Sequence, residues 1–295
     1  MRGILEGMNA KRWHNLTEHA ERFLARAAGD PDHFLLALDF DGTLAPLVPD
    51  PATSRMHEAS AAALARIGPQ VGQLAIITGR SVETVRALGR LDERAGLENL
   101  IVLGQYGVER FDAASQRVRA DATDETVQQV RVELEELVEL LTREGWKVKG
   151  THIEDKGIAV GVHTRRAEDP RAAFELLGPL VTKIGYEHGL QVEPGRAVVE
   201  LRASSRNKGD SLSDLAEEVG ARSVAMVGDD LGDLPAFEVL ATLRQQGVNC
   251  CAVVSSSDEQ PQLAEVADVV CDGPDGVAEW LAMLADELSV AAVND

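Results

Sequence analysis

Short, unbroken apolar runs alternate along most of the chain with longer segments in which apolar residues recur at helical spacing. Apolar runs of four or five residues suit strands that are buried on both faces of a parallel sheet. They predict strands at residues 34–38, 74–77, 100–103, 224–227, 250–254 and 266–270. The helical spacing predicts helices at residues 13–28, 57–67, 81–88, 208–219, 235–243 and 275–288.

The alternation is interrupted once, between about Phe111 and Arg202. The intervening block predicts a charged amphipathic helix at 121–143, a hairpin at 147–163, a helix at 170–185, and strands at 190–192 and 197–202. The predicted fold class is therefore α/β, a doubly wound parallel-sheet core at residues 1–111 and 203–295. Residues 112–202 are predicted to form an α+β cap domain that is inserted into this core.

Three predicted strands end in polar clusters. The clusters are Asp39 with Asp41, Thr78 with Arg80, and Asp229 with Asp230 and Asp233. Ligands in open α/β sheets bind beyond the carboxyl ends of the strands, so we expect these clusters to meet at one edge of the sheet. Carboxylates with no histidine or cysteine among them favour a hard cation such as Mg²⁺.

The first cluster has the chemistry of phosphoryl transfer. Asp39 and Asp41 are two residues apart, so one carboxylate can attack while the other handles the proton. Gly42 permits a tight turn, and Thr43 adds a hydroxyl group. Lys208 begins a predicted helix, where an ammonium group and backbone N–H groups can face phosphoryl oxygens. Together these residues predict a phosphoryl-transfer centre.

Each of these signals also has a simpler explanation when it stands alone. An Asp-Gly pair is a common turn, Thr78 or Ser81 fits a helix N-cap, and Lys208 fits a solvated surface charge. The aspartates near Asp229 fit a capping cluster, although the twelve-residue calcium pattern is absent from the sequence.

Composition limits the class of partner. The formal net charge is −20, which argues against a broad surface for nucleic acid or an anionic membrane. The three cysteines, two of them adjacent, fit no disulfide framework and favour a cytoplasmic location. No apolar stretch approaches the length of a signal peptide core or a membrane span.

The four polar segments resemble, in order, the four motifs of haloacid dehalogenase (HAD) superfamily phosphatases. The matching segments are Asp39-Phe40-Asp41-Gly42-Thr43-Leu44, Thr78-Gly79-Arg80, Lys208 and Gly228-Asp229-Asp230-Leu231-Gly232-Asp233. The insert is similar to the cap of trehalose-6-phosphate phosphatases through residues 153–157, 163–165 and 199–202, ahead of Asn207-Lys208-Gly209. The resemblance implies a HAD-like Rossmannoid core and hydrolysis of a phosphorylated disaccharide.

The resemblance also implies roles for individual residues. Asp39 would form an aspartyl-phosphate, and Asp41 would protonate the leaving oxygen and then activate water. Mg²⁺ would be held by the Asp39 carboxylate, the Asp41 backbone carbonyl and Asp229. Asp230 and Asp233 would support these ligands without contacting the ion. The implied phosphoryl-binding residues are Thr78 and Lys208, and the implied substrate-binding residues are Thr43, Arg80, Tyr106, Glu154, Lys156, Arg165 and Glu200.

Two positions depart from the family pattern. Tyr106 stands where members usually carry His, and Leu234 stands where they usually carry an acidic residue. Another sugar phosphate, a sugar-acid phosphate or a pseudo-disaccharide phosphate is therefore an alternative substrate. A catalytically inactive regulatory or binding subunit of a trehalose pathway is an alternative of a different class. The sequence does not determine whether a trehalose-phosphate synthase associates with the chain.

The charged residues predicted to bind substrate from the cap also have a simpler explanation, because charged side chains on cap sheets are often simply solvated. Glu200 is more informative, since it lies among apolar neighbours and needs a partner if it is buried. His163 lies within an apolar strand, and this position favours a structural role.

Overall fold

The computed structural model describes residues 11–120, 124–195, 197–256 and 261–294. The chain divides into two compact units, one joining Met1–Arg119 to Arg206–Asp295 and the other formed by Ala120–Ser205. The assignment of a core domain at 1–111 and 203–295 and a cap domain at 112–202 stays a prediction. None of the described helices is both long and apolar enough to cross a membrane.

The described part of the chain forms thirteen strands and eight α-helices. The strands are β1 (Trp13–Asn15), β2 (Phe34–Leu38), β3 (Gln73–Ile77), β4 (Leu100–Gly104), β5 (Glu109–Asp112), β6 (Arg117–Ala120), β7 (His152–Asp155), β8 (Ala159–His163), β9 (Gln191–Gly195), β10 (Val198–Arg202), β11 (Ser223–Gly228), β12 (Asn249–Ser256) and β13 (Val269–Asp272). The helices are α1 (Glu18–Gly29), α2 (Glu58–Ile67), α3 (Val82–Gly89), α4 (Glu125–Arg143), α5 (Pro170–Glu187), α6 (Lys208–Glu218), α7 (Leu234–Gln245) and α8 (Gly273–Asn294).

The larger unit is built on a nine-stranded sheet with the order β1-β13-β12-β11-β2-β3-β4-β5-β6. The six strands from β13 to β4 in this order run parallel, and β1 and β5 pair antiparallel with their neighbours. From β2 the chain builds outward through β3 and β4, whereas from β11 it builds in the opposite direction through β12 and β13. The sheet therefore has its topological switch point between β2 and β11, where ligands bind in such folds.

Both faces of this sheet are covered, as the unbroken apolar runs predict. Alternate residues of β2, such as Leu36 and Leu38, pack with α1, α2, α3 and α8, while Leu35 and Ala37 pack with α6 and α7. Leu35, Leu36, Ala37 and Leu38 are all fully buried. The predicted α/β doubly wound core is confirmed.

The smaller unit is an α+β layer. Its four-stranded antiparallel sheet has the order β7-β8-β10-β9. Apolar residues of β8 and β10, among them Val160, Val162, Val199 and Leu201, pack against α4 and α5. The opposite face of the sheet carries the polar residues that alternate with them.

Several predicted elements need correction. The helix predicted at 13–28 is wrong at its start: Trp13–Asn15 is strand β1, and Thr17 caps α1 by accepting a hydrogen bond from the Ala20 N–H at 3.3 Å. Trp13 lies opposite Cys271 at the sheet edge and is buried there, a tertiary contact that helical spacing does not reveal. The strand predicted at 266–270 is shifted to Val269–Asp272, and β5 and β6 were not predicted. Residues 121–123 of the helix predicted at 121–143 lie outside the described residues.

Candidate active site

Asp39 and Asp229 lie at the topological switch point of the larger sheet. They follow β2 and β11, which pair in parallel, and the Asp39 N–H extends that pairing by donating to the Val227 carbonyl at 2.8 Å. Both side chains are buried, with Asp39 4% and Asp229 6% exposed. Two acidic side chains are thus held at the carboxyl ends of adjacent strands, away from water.

Lys208 joins the same cluster from the start of α6. Asn207 caps that helix by accepting hydrogen bonds from the N–H groups of Gly209 and Asp210, so Lys208 is its first residue. The Lys208 Nζ lies 2.7 Å from Asp39 Oδ1 and donates to Asp233 Oδ1 at 2.6 Å. The ammonium group and both carboxylates are buried.

Asp233 and Asp230 organise the loop after β11. Asp233 Oδ2 accepts hydrogen bonds from the N–H groups of Asp229 at 2.9 Å and Asp230 at 3.2 Å. Asp230 Oδ1 accepts from the Gly232 N–H at 2.9 Å. Both oxygens of Asp233 are therefore engaged by Lys208 and the backbone, and this arrangement holds the backbone of the loop at Asp229 and Asp230.

The acidic cluster fits a hard divalent cation. Carboxylate oxygens of Asp39, Asp229 and Asp233 all lie within 4.8 Å of one another. Asp229 Oδ1 is buried and has no hydrogen-bond partner among the described residues. Gly42, at φ +73°, makes room for this carboxylate, because a Cβ there would lie 1.9 Å from Asp229 Oδ2. Oxygen-only donors of this kind suit ions such as Mg²⁺.

The electrostatics of the cluster favour an added positive charge. Burial raises the pKa of Asp39 to about 8, against the lowering effect of Lys208. Burial and the charge of Asp39 raise the pKa of Asp229 to about 9. Burial alone would lower the pKa of Lys208, but the charges of Asp233 and Asp39 outweigh it and raise that pKa. Without a cation, the cluster holds more negative charge than one lysine balances.

Arg80 forms a two-point ion pair with Asp41, one of the carboxylates that follow β2. Its Nε donates to Asp41 Oδ2 at 2.5 Å, and its Nη2 donates to Oδ1 at 2.7 Å and to the Pro51 carbonyl at 2.9 Å. The Thr78 hydroxyl accepts a hydrogen bond from the Arg80 N–H at 3.1 Å. Asp41 contributes no carboxylate to the three-acid cluster, and its predicted metal contact through the backbone carbonyl stays a prediction.

Tyr106 adopts a left-handed backbone conformation beside the second polar segment. Its φ is +57°, its N–H donates to the Thr78 carbonyl at 3.0 Å, and its carbonyl accepts from Ser211 Oγ at 2.8 Å. A Cβ on Gly79 would lie 2.7 Å from the Tyr106 hydroxyl, so the phenol ring lies against that glycine. Tyr106 is thereby fixed next to Thr78.

Thr43 and Ser255 add polar groups to the loop after β2. The Thr43 Oγ1 atom is buried without a hydrogen-bond partner among the described residues. Ser255 donates to the Gly42 carbonyl at 2.6 Å and was not predicted, because nothing in its local sequence marks it.

The smaller unit gathers three of the four predicted cap residues. Lys156 Nζ contacts Glu200 Oε2 and lies 3.8 Å from Glu154 Oε2. Glu200 is partly buried, and Lys156 is its partner. Arg165 is an exposed residue two positions after the end of β8. His163, predicted to be structural, has its Nε2 2.9 Å from Glu154 Oε2.

The sequence matches a known family over most of its length. The trehalose-phosphatase family model matches residues 37–269. A "Probable trehalose-phosphate phosphatase" of Sinorhizobium fredii is 30% identical over 228 residues, covering 76% of this chain and 80% of the relative. An "Uncharacterized glycosyl hydrolase" of Mycobacterium tuberculosis is 29% identical over 266 residues, covering 88% of this chain. The chain spans 19% of the length of that relative.

Solved structures share the fold. The C-terminal domain of Candida albicans trehalose-6-phosphate phosphatase superposes with a TM-score of 0.69 at 22% identity, covering 92% of this chain and 97% of that one. The corresponding Aspergillus fumigatus enzyme gives a TM-score of 0.59 at 22% identity, covering 92% and 98%. By its sequence match and its fold, the chain belongs to the trehalose-phosphatase family of the HAD superfamily.

Proposed function

We propose that the chain is a Mg²⁺-dependent phosphatase that hydrolyses trehalose 6-phosphate to trehalose and phosphate. The observation that carries this proposal is the buried cluster of Asp39, Asp229, Asp233 and Lys208 at the switch point of the sheet. Asp39 can act as a buried nucleophile. The fixed ammonium group of Lys208, with a cation bound at the unpartnered oxygen of Asp229, would balance the negative charge of a transferring phosphoryl group.

Asp39 attacks the phosphorus atom through a carboxylate oxygen and forms an aspartyl-phosphate. Lys208 and Thr78 hold the phosphoryl oxygens, and the charge of Lys208 favours the ionised, attacking form of Asp39 against the opposing effect of burial. Asp41 protonates the leaving sugar oxygen and then takes a proton from the water that hydrolyses the aspartyl-phosphate. Asp41 enters the first step protonated, and its contact with Arg80 then orients the carboxylate that accepts the proton of the attacking water.

Asp39, Asp229 and the Asp41 carbonyl would hold the cation, with Asp230 and Asp233 fixing the loop behind them. A bound Mg²⁺ would neutralise part of the negative charge on the phosphoryl oxygens. Thr43, Tyr106, Glu154, Lys156, Arg165 and Glu200 would bind the phosphorylated disaccharide. Hydrogen bonds from charged groups are strong enough to select among sugar hydroxyls. A cytoplasmic location stays a prediction.

Phosphate release from trehalose 6-phosphate, with and without Mg²⁺, tests the proposal directly. Asp39→Asn removes the nucleophile and is expected to abolish release while the fold persists. Asp286→Asn changes the charge equally at an exposed ion pair with Arg66 and should leave turnover unchanged. Undiminished turnover in the Asp39 variant overturns the mechanism, and substrate binding without turnover identifies a regulatory or binding subunit.

A second candidate keeps the chemistry and changes the sugar. Tyr106, fixed against Gly79, stands where the family usually carries His, and this favours a different sugar phosphate, sugar-acid phosphate or pseudo-disaccharide phosphate. Ranking a panel of these compounds by kcat/KM separates the two candidates. Tyr106→His should shift the ranking toward trehalose 6-phosphate if Tyr106 sets the preference.

A further inference from the structure

One face of the four-stranded sheet in the smaller unit carries a connected polar cluster. Strand β8 alternates, so that Val160 and Val162 pack on α4 and α5 while Gly161 and His163 face the other way. Ile153 packs on the same apolar cluster as the valines, so its neighbours on β7, His152 and Glu154, share the polar face. The register pairs His152 with His163 and Glu154 with Gly161.

His163 is the closest partner of Glu154. Its Nε2 lies 2.9 Å from Glu154 Oε2, and Lys156 Nζ lies 3.8 Å from the same oxygen. No described residue donates to Glu154 Oε1. The imidazole of His152 stacks loosely on that of His163, with ring centroids 6.0 Å apart at 34°. One oxygen of Glu154 is therefore anchored within the protein while the other is left for a ligand.

The contact with His163 also favours the ionised form of Glu154. The hydrogen bond from His163 is the largest cause that lowers the pKa of Glu154, to about 2, and the charge of Lys156 adds to it. Burial acts in the opposite direction. The carboxylate is thus held ionised, which is the form that accepts hydrogen bonds from hydroxyl groups.

Gly161 keeps the space that this arrangement needs. It lies opposite Glu154 on β7 and opposite Glu200 on β10, between the two carboxylates. A Cβ at this position would lie 2.9 Å from His163 Nε2 and 3.7 Å from Glu154 Oε2. A side chain at position 161 would push the imidazole away from the carboxylate of Glu154.

We propose that His163 is a positioning residue that anchors one oxygen of Glu154 and presents the other to a hydroxyl of the sugar substrate. This inference rests on the proposed function, because it assumes that Glu154 binds the disaccharide. Glutamate has three rotatable side-chain bonds, and holding them before the substrate arrives lowers the entropic cost of binding. Loss of the anchor therefore weakens substrate binding and leaves the phosphoryl chemistry intact.

The test compares His163→Leu, which removes the donor, with His163→Gln, whose amide N–H can replace Nε2. With trehalose 6-phosphate, His163→Leu should raise KM about tenfold, the equivalent of one charge-assisted hydrogen bond, with kcat changed less than twofold. Turnover of p-nitrophenyl phosphate, which has no sugar hydroxyls, should be unchanged. His163→Gln should keep KM within about threefold of the unsubstituted chain.

His188→Leu is the matched control. His188 Nε2 lies 3.0 Å from Glu133 Oε2 in the same unit, in a histidine–glutamate pair outside the polar cluster. Its removal should leave KM unchanged, while Gly161→Ala should reproduce the effect of His163→Leu. An unchanged KM in His163→Leu, equal losses in the Gln and Leu variants, or a parallel loss with p-nitrophenyl phosphate each overturns the inference. Failure of the proposed function is seen separately, as absence of turnover in the unsubstituted chain.

Discussion

Arg80 holds both carboxylate oxygens of Asp41, with Nε 2.5 Å from Oδ2 and Nη2 2.7 Å from Oδ1. The guanidinium is itself held by the Pro51 carbonyl and lies 5.9 Å from the centre of the Phe40 ring. Both side chains of the pair are largely shielded, at 16% and 30% exposure. The side chain that the proposed mechanism uses for proton transfer therefore has a fixed direction before substrate binds.

Arg80→Lys should lower kcat/KM about tenfold, because lysine keeps the charge and loses the planar two-point contact with Asp41. Arg80→Ala should lower it about 100-fold, the usual effect of misplacing a reacting group by about 1 Å. Steady-state phosphate release measures both. Arg86 makes a similar two-point contact with Asp92 at the surface, so Arg86→Lys is the control and should change kcat/KM less than twofold. Equal effects at the two arginines would contradict a positioning role.

Asp229→Asn should stabilise the metal-free chain. Asp229 Oδ1 is buried without a partner among the described residues, and burial with the charge of Asp39 raises the pKa of this carboxyl to about 9. Asparagine keeps the shape of the side chain but cannot carry the negative charge that burial and Asp39 disfavour, so the free energy of unfolding of the metal-free chain should rise. Thermal unfolding in the presence of a chelator measures the change.

The same variant should lose the stabilisation that Mg²⁺ gives, since a bound ion stabilises the folded state by an amount that grows with the logarithm of its concentration divided by Kd. Adding Mg²⁺ should raise the melting temperature of the unsubstituted chain and leave that of Asp229→Asn unchanged. An equal rise in both proteins would place the cation elsewhere.

Lys208→Met should destabilise the protein by about 3–5 kcal/mol, because it leaves two buried carboxylates without their shared cation. Urea unfolding measures this loss. Lys183→Met is the control, since Lys183 pairs with Glu187 on the exposed surface of α5 and should cost less than about 1 kcal/mol. A similar small loss at Lys208 would show that the buried ion pairs contribute little.

The local pattern of apolar residues was sufficient to predict the central strands of the larger sheet. Strands β2, β3, β4 and β11 are apolar runs buried on both faces, and each was found within one residue of its predicted start. Strand β1 was missed because Trp13 continues the helical spacing of α1, and only its pairing with Cys271 makes it a strand. Strand β5 contains one buried residue, Phe111, among three charged ones, so its sequence gives no apolar run.

The candidate site was predictable where it depends on spacing along the chain. The approach of Asp39, Asp229 and Lys208 follows from strand ends that share one edge of the sheet. The ion pair of Arg80 with Asp41 was not predicted, because it depends on the path of the loop that brings the Pro51 carbonyl to the guanidinium. The partner of His163 likewise depends on strand register, which fixes Glu154 beside it.

The three cysteines should be unreactive in the folded protein. They are buried free thiols, and burial raises the pKa of Cys250 and of Cys271 to about 12 and raises that of Cys251 as well. A thiol whose pKa is raised by folding contributes stability below its unfolded pKa of about 8.5, and that contribution is lost as the pH rises toward the folded value.

Titration with a disulfide reagent at pH 8 should therefore detect no fast-reacting thiol in the native protein and all three after unfolding in guanidinium chloride. Stability measured by urea unfolding should fall as the pH rises from about 8.5 to about 11. A thiol that reacts rapidly under native conditions would show that its site opens to solvent.

Gly42→Ala should abolish activity through a steric clash rather than through backbone strain. Gly42 has φ +73°, and a Cβ there would lie 1.9 Å from Asp229 Oδ2, so the carboxylate must leave the cluster to make room. Gly145 separates the two causes, because it has φ +86° and a Cβ at that position would meet no atom within 4 Å among the described residues. Gly145→Ala therefore carries the same left-handed strain, about 1 kcal/mol, without the clash.

The expected result is a loss of phosphate release and Mg²⁺ binding in Gly42→Ala alone, with a stability loss of about 1 kcal/mol in Gly145→Ala and a larger one in Gly42→Ala. Calorimetric titration with Mg²⁺ and assays of trehalose 6-phosphate hydrolysis measure the two properties. If Gly42→Ala binds Mg²⁺ as tightly as Gly145→Ala, the Asp229 carboxylate does not need its observed position, and the proposed metal site would have to be formed by other groups. If both variants lose activity equally, strain in the left-handed backbone is sufficient to explain the effect.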